Sequence, residues 1–296
     1  MTDNQIWSAP QSDGFSASIN LPGSKSLTNR ELVLSALAIS PTTLIKPLDS
    51  RDSQLMITAL KSLGTEFAWS GENLLVTPHA LSGPAQIDCG LAGTVMRFVP
   101  PMAILANGEV FFDGDQGAKN RPMGATIESL RALGAKVKAD NDNLPFTVMG
   151  GGSVIGGSLT IDASASSQFV SGLLLSAPRF DQGLRLNHSG ASLPSLPHIE
   201  MTLETLRQRG IEARMLSDTS WEVPPGEIEG GQVTIEPDLS NAGPFMAAAM
   251  VSGGSVQIPN WPSKTTQVGD NYRGILEQMG AEIQLQDDVL SISGTG

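Results

Sequence analysis

Positive charge is scarce in this chain: 18 Lys and Arg residues stand against 30 Asp and Glu, a net charge of -12 at pH 7. That balance argues against nucleic acid or an acidic membrane surface as the main partner. Cysteine is nearly absent. Its single occurrence, Cys89, excludes an intrachain disulfide, leaves the redox compartment open and reads most simply as a small buried hydrophobe. The three histidines, His79, His188 and His198, stand in unrelated contexts without metal-ligand spacing, so neither a metal nor another cofactor is expected. Long apolar runs are missing as well. No window approaches the roughly 20 residues that a bilayer span needs, and the opening stretch MTDNQIWSAPQSDG has no basic or apolar signal region. A soluble, cytoplasmic protein without a membrane partner is expected. What is present is enough apolar material, 40% of 296 residues, for two compact units or an internal repeat.

The repeat is visible. Four segments, ITALKSLGTEF, ESLRALGAKV, ETLRQRGIEA and ILEQMGAEI, each look like an amphipathic helix closed by a glycine, at Gly64, Gly134, Gly210 and Gly280. The glycine spacings are 70, 76 and 70 residues. A glycine just past the last turn predicts a left-handed helix cap, and a polar turn between two strand-like runs follows each one. Reading backwards from each hairpin gives a strand, an apolar helix, a short strand and then the Gly-capped helix. The unit is therefore βαβαββ, four times. The first helices, LTNRELVLSALA, GTVMRFVPPMAILA, SSQFVSGLLLSA and NAGPFMAAAMVS, are apolar nearly all round, which predicts burial inside a ring of units, with the more charged second helices outside.

Residues suited to anion chemistry recur at one place, the turn into each first helix: Gly23-Ser24-Lys25-Ser26, Gly90-Leu91-Ala92-Gly93-Thr94, Ser164-Ala165-Ser166-Ser167-Gln168 and Pro237-Asp238-Leu239-Ser240-Asn241. Free backbone N–H groups and the positive end of the helix dipole suit phosphate or carboxylate there. Taken singly, such Ser, Thr, Asp and Asn residues can equally be plain helix caps. Lys25 and Arg30 favour the anion reading, because Arg30 lies one turn into its helix and can return toward the end that carries Lys25. Asp52 reads as a helix-start acid rather than a catalytic group. Glu236 and Asp238, one residue apart at a strand end, would face the same side and line a cleft.

LPGSKSLTNRELVLSALA, CGLAGTVMRF with NRPM, and SASSQFVSGLLLSAP closely resemble, in order, three signatures of the EPSP synthases, and the resemblance runs from about residue 17 to the end. It implies an α/β fold of repeated βαβαββ units in a two-domain, inside-out barrel with three units per domain. Residues 22–232 would be one complete domain binding shikimate 3-phosphate, with 1–21 and 233–296 a partial second domain. Four of the family's six units would be present, leaving roughly 140 residues, two repeat periods, to be supplied elsewhere. The family joins phosphoenolpyruvate to the 5-hydroxyl of shikimate 3-phosphate without a metal, and is usually monomeric. The resemblance implies Lys25 between both substrates, with Ser26 and Arg30 on the shikimate moiety. It implies Gly93 and Arg121 for phosphoenolpyruvate, with Thr94 and Arg97 supporting their turn. Ser166, Ser167 and Gln168 would hold the shikimate phosphate and reach the enolpyruvyl group, and Ser195 would be a further phosphate contact.

Two positions depart from the pattern: Leu91 stands where the family commonly has asparagine, and His198 where it often has tyrosine. The groups that complete proton transfer and clamp phosphoenolpyruvate would come from the absent units. The chain alone is therefore expected to bind shikimate 3-phosphate and turn over little, unless a complementing C-terminal fragment joins it. The alternatives are a non-catalytic ligand-binding remnant and the related transferase acting on UDP-N-acetylglucosamine, whose opening motif and cysteine-bearing loop are not matched here.

Overall fold

The computed structural model describes residues 13–294. In chain order, β1 (Ser16–Ser18) is followed by α1 (Lys25–Leu37), β2 (Thr42–Ile45), α2 (Arg51–Ser62) and the hairpin β3 (Glu66–Ser70) and β4 (Asn73–Thr77). Next come β5 (Ala85–Asp88), α3 (Gly93–Ala103), β6 (Asn107–Asp113), a single turn α4 (Gln116–Lys119), α5 (Gly124–Ala132), β7 (Lys136–Ala139) and β8 (Phe146–Gly151). The third passage is β9 (Gly157–Ile161), α6 (Gln168–Ser176), β10 (Leu184–His188), α7 (Leu196–Gln208), β11 (Arg214–Ser217) and β12 (Ser220–Val223). The last is β13 (Gly231–Thr234), α8 (Gly243–Ser252), β14 (Ser255–Pro259), α9 (Tyr272–Gln278), β15 (Glu282–Gln286) and β16 (Val289–Ser293).

The strands form four sheets of one design. Their orders are β13-β2-β4-β3, β5-β6-β8-β7, β9-β10-β12-β11 and β1-β14-β16-β15, in each case a parallel first pair and then two antiparallel pairs. All four capping glycines adopt positive φ, between 83° and 108°, and each is followed by the outer strand of its hairpin. A side chain there would press on the following carbonyl, which is why glycine marks the period.

Reading each unit straight along the chain describes the second and third sheets but not the other two. The strand that precedes α1, β1, pairs with β14, while β13, which precedes α8, pairs with β2. The chain divides into a longer unit, Gly23–Ile235, and a shorter one made of residues 1–22 and 236–296. The division at Ile235 rather than 232 follows from this exchange, since β13 completes a sheet of the longer unit. Register, not order in the chain, decides membership.

In the longer unit α1, α3 and α6 pack on one another and are buried on every face from Thr28 to Leu37, Thr94 to Ala103 and Phe169 to Ser176. Helix α3 carries Pro100 and Pro101 in its interior. Proline has no N–H, so Pro101 leaves the Arg97 carbonyl without its helical partner. Helix α6 lies close at that point: a Cβ built on Gly172 would lie 2.1 Å from the Arg97 carbonyl oxygen. The expectation of burial fails for the fourth apolar helix. Only Met246 and Ala249 of α8 are buried, whereas Val251 is 75% exposed. Within its own unit α8 meets one sheet and α9, too little to cover a helix that is apolar all round.

Candidate functional site

Three turns of the longer unit converge on a cleft of about 360 Å³ lined by Ser26, Arg30, Thr94, Phe98, Ala165, Ser166, Ser167, Gln168, Pro194, Ser195 and His198. Its volume lies in the usual range for small-molecule sites. The first turn is the start of α1, where Ser24 caps the helix by accepting from the Leu27 amide. Arg30 follows one turn later and is 2% exposed. Its Nε donates to Thr202 Oγ1 at 2.8 Å, Nη1 to the Ser26 carbonyl at 2.9 Å and Nη2 to the His198 carbonyl at 2.8 Å, while the guanidinium lies 5.5 Å over the Phe98 ring. No described carboxylate forms an ion pair with it. Burial pushes Arg30 down from its ordinary value to about 9, so it remains charged at neutral pH while lacking a counter-ion.

The second turn, Asp162 to Gln168, leads into α6. Asp162 Oδ1 accepts from the Ser164 amide at 2.8 Å, the Ser166 amide donates to the Ala163 carbonyl at 3.0 Å, and Ser166 Oγ accepts from the Gln168 amide at 3.2 Å. Ser167, the N-cap of α6, makes no side-chain cap bond, and neither does Ser195, the N-cap of α7. Ser195 sits in the left-handed region at φ 57°. That conformation is disfavoured for a residue with a Cβ, and the third turn adopts it at the rim of the cleft. Two N-cap hydroxyls spared from capping, a guanidinium without a carboxylate and the N-terminus of α6 are groups chemically suited to a compact anion.

A second cationic cluster adjoins through Gln168. A Cβ on Gly93 would lie 2.9 Å from Gln168 Oε1 and 3.6 Å from Nη1 of both Arg121 and Arg97. Arg121 Nη1 donates to the Leu91 carbonyl at 2.9 Å, so the main chain at position 91 holds the arginine whatever its side chain, and the Leu91 side chain itself is 39% exposed. Arg97 Nη2 donates to the Pro122 carbonyl at 3.1 Å, and its guanidinium lies 5.5 Å over the Phe169 ring. Burial, reinforced by the neighbouring Arg121, pushes Arg97 down to about 10. Thr94 Oγ1 and Arg97 Nε are buried without hydrogen-bond partners among the described residues. Two guanidiniums around a glycine open space for an anionic group.

Lys25 does not line the cleft. Its Nζ lies 3.5 Å from Asp52 Oδ2 in the first turn of α2, so Asp52 has a partner as well as a helix-start position. Burial, and then the charge of Arg30, hold His198 below the usual histidine range, which keeps the imidazole neutral at pH 7. In the shorter unit, Glu236 is occupied by Thr265 and Gln267, at 2.6 and 2.8 Å, rather than poised as a free carboxylate, and Asp238 Oδ1 accepts from the Ser240 amide.

Sequence reading missed Thr202 and Ser171, which hold Arg30 from behind: their hydroxyl oxygens lie 2.9 Å apart and both are buried. The available signal was hydroxyl residues among the apolar positions of each helix, Ser171 and Ser176 in α6 and Thr202 and Thr205 in α7. Among the described residues no group of three His, Cys, Asp or Glu side chains could hold a metal ion, and no helix is long and apolar enough to cross a membrane.

Residues 10–296 match the family model described as EPSP synthase (3-phosphoshikimate 1-carboxyvinyltransferase). The chain is 52% identical over 305 aligned positions to the 3-phosphoshikimate 1-carboxyvinyltransferase of Kocuria rhizophila, covering 98% of this chain and 68% of that protein. Two solved structures of EPSP synthase from Acinetobacter baumannii superpose with a TM-score of 0.83 at 23% identity, over 97% of this chain and 66% and 67% of theirs. The chain thus spans about two thirds of the length of the relatives it matches.

Proposed function

The chain belongs to the EPSP synthase family, and we propose that its longer unit binds shikimate 3-phosphate for attack of the 5-hydroxyl on phosphoenolpyruvate. In that reaction the 5-hydroxyl oxygen bonds to C2 of phosphoenolpyruvate and loses its proton while the methylene carbon gains one; the bond from C2 to the phosphate oxygen then breaks as the new methyl group gives up a proton, which restores the double bond and releases phosphate. The observation that carries the reading is Arg30, a buried cation with no carboxylate partner, on a wall shared with Ser166, Ser167 and Ser195. A bound phosphomonoester supplies the missing counter-charge. Its oxygens accept from the serine hydroxyls, which add contacts without further desolvated charge.

Gln168 lies on both the cleft and the Gly93 cluster, which suits it to touch both substrates. Arg121 and Arg97 face the space above Gly93, where the phosphate or carboxylate of phosphoenolpyruvate fits, and two cations there stabilise the charge that develops as phosphate leaves. Lys25, beside Asp52 and one residue before the cleft-lining Ser26, would reach toward the junction of the two sites by rotating about its long side chain. The aspect of the reaction least provided for in the cleft is proton transfer, because no carboxylate is among its lining residues. The longer unit therefore positions and neutralises the substrates.

Calorimetric titration of shikimate 3-phosphate into the chain tests the reading, with UDP-N-acetylglucosamine as the control. Saturable binding of the first ligand alone is expected, and Arg30→Ala weakens it by at least about 30-fold, roughly 2 kcal/mol, the scale of a lost charge-assisted hydrogen-bonding group. Equal affinity of wild type and Arg30→Ala would remove the basis of the assignment.

A further inference from the structure

The longer unit contains a buried histidine to which the site as described gives no role. His188 ends β10 and is 8% exposed. Its Nδ1 accepts a hydrogen bond from the Ala163 amide at 3.1 Å. A backbone N–H can only donate, so Nδ1 carries the lone pair and Nε2 carries the proton. Nε2 finds no hydrogen-bond partner among the described residues. A buried donor left unpaired costs stability, and a leucine of similar volume would remove that cost. As mere filling, the imidazole is therefore a poor choice; as an acceptor for one particular amide it is a good one.

That amide begins the turn that leads to Ser166 and Ser167, and the next residue on the same strand end begins the loop that leads to Ser195. Several contacts fasten the two segments together. Besides the bond from Ala163 to His188, the Ser189 amide donates to the Ile161 carbonyl at 3.0 Å. Gly190 lies so close to the turn that a Cβ there would fall 2.0 Å from Ser164 Oγ, 2.3 Å from Asp162 Oδ1 and 2.6 Å from His188 Cε1. Without the imidazole acceptor the Ala163 amide is unsatisfied, and the turn can recover a partner only by moving.

We infer that His188 is a positioning residue: through Nδ1 it fixes the Ala163–Ser167 turn against the loop carrying Ser195, so that hydroxyls from two segments converge on one anion. The inference rests on the reading of these serines as the phosphate site. It requires an acceptor at the Nδ1 position, not a ring and not polarity as such. Asparagine places its carbonyl oxygen close to that position, whereas glutamine carries it one bond farther and leucine has no acceptor.

His188→Asn, His188→Gln and His188→Leu are to be compared with the wild-type chain by calorimetry with shikimate 3-phosphate, by urea denaturation, and by amide NMR of the ligand-free protein. The expected result is binding within about threefold of wild type for Asn and at least tenfold weaker for Gln and Leu. The Ala163 amide resonance should move in Gln and Leu but not in Asn, and the Leu variant should unfold at a urea concentration no lower than the Asn variant. Equal binding by wild type and His188→Leu overturns the inference while leaving the phosphate site standing, as does equal binding by the Asn and Gln variants. No binding by folded wild type, with the Ala163 resonance behaving as expected, overturns the assignment of the phosphate site and with it the positioning role.

Discussion

Gly93 stands where the cleft meets the second cationic cluster. Its φ is unexceptional, so glycine is needed for space alone: a methyl group there would stand 2.9 Å from Gln168 Oε1, within reach of both arginines. The glutamine side chain can yield, but only by leaving the junction between the cleft and the Gly93 cluster. Gly93→Ala is therefore expected to weaken phosphoenolpyruvate binding by about tenfold while changing the affinity for shikimate 3-phosphate by less than threefold, a split that parallel titrations would read. Motif and chemistry pointed to Arg30 in the sequence because a cation one turn into a helix can return to its start. Thr202 and Ser171 stayed hidden, since they meet Arg30 from 172 and 141 residues away.

Among the elements, the approach of α6 to α3 sets the distance between Gln168 and Gly93. Two features of the sequence meet there: Pro101 frees the Arg97 carbonyl, and Gly172 lets the neighbouring helix lie against it. Gly172→Ala would place a methyl group 2.1 Å from that oxygen, and backbone cannot yield as a side-chain end can. The expected cost is about 1–3 kcal/mol in urea denaturation, together with weakened binding of both ligands as the helices move apart. The four capping glycines were legible in the sequence because a left-handed cap is a local requirement. The exposure of α8 was not, because periodicity reports how apolar a helix is and not how many neighbours it finds.

On the scale of the longer unit as a whole, its most deeply buried ion pair links Glu31 of α1 to Arg209 just beyond α7, at 3.0 Å, with Arg209 Nη2 also donating to Thr42 Oγ1 at 2.8 Å. Burial dominates at both ends: it pushes the Glu31 carboxyl up to about 7 against the pull of Arg209, and it lowers Arg209 despite Glu31. A carboxyl raised in the folded state takes up a proton that the unfolded chain has already lost. Its stabilising contribution is full below the ordinary value of 4.5 and is lost as the pH rises through about 7. Glu31→Gln, which keeps a hydrogen-bond acceptor for Arg209, is expected to remove that slope. The difference in unfolding free energy between wild type and variant should change by at most about 1.4 kcal/mol per pH unit across pH 5–7. A difference independent of pH would show that the pair titrates elsewhere.

The sequence by itself determined the period, the helix caps, the hairpins, the family and the three turns from which the cleft is built, because each rests on contacts a few residues apart or on a motif read in order. Only the tertiary structure decided that β13 completes a sheet of the longer unit, that Lys25 stands beside Asp52 outside the cleft lining, and that His188 Nδ1 accepts from the Ala163 amide ahead of the serine turn. Those outcomes depend on strand register and on side chains meeting across distant segments. No local pattern encodes such meetings, since the partner that satisfies a buried polar group is chosen by packing and not by proximity in the chain.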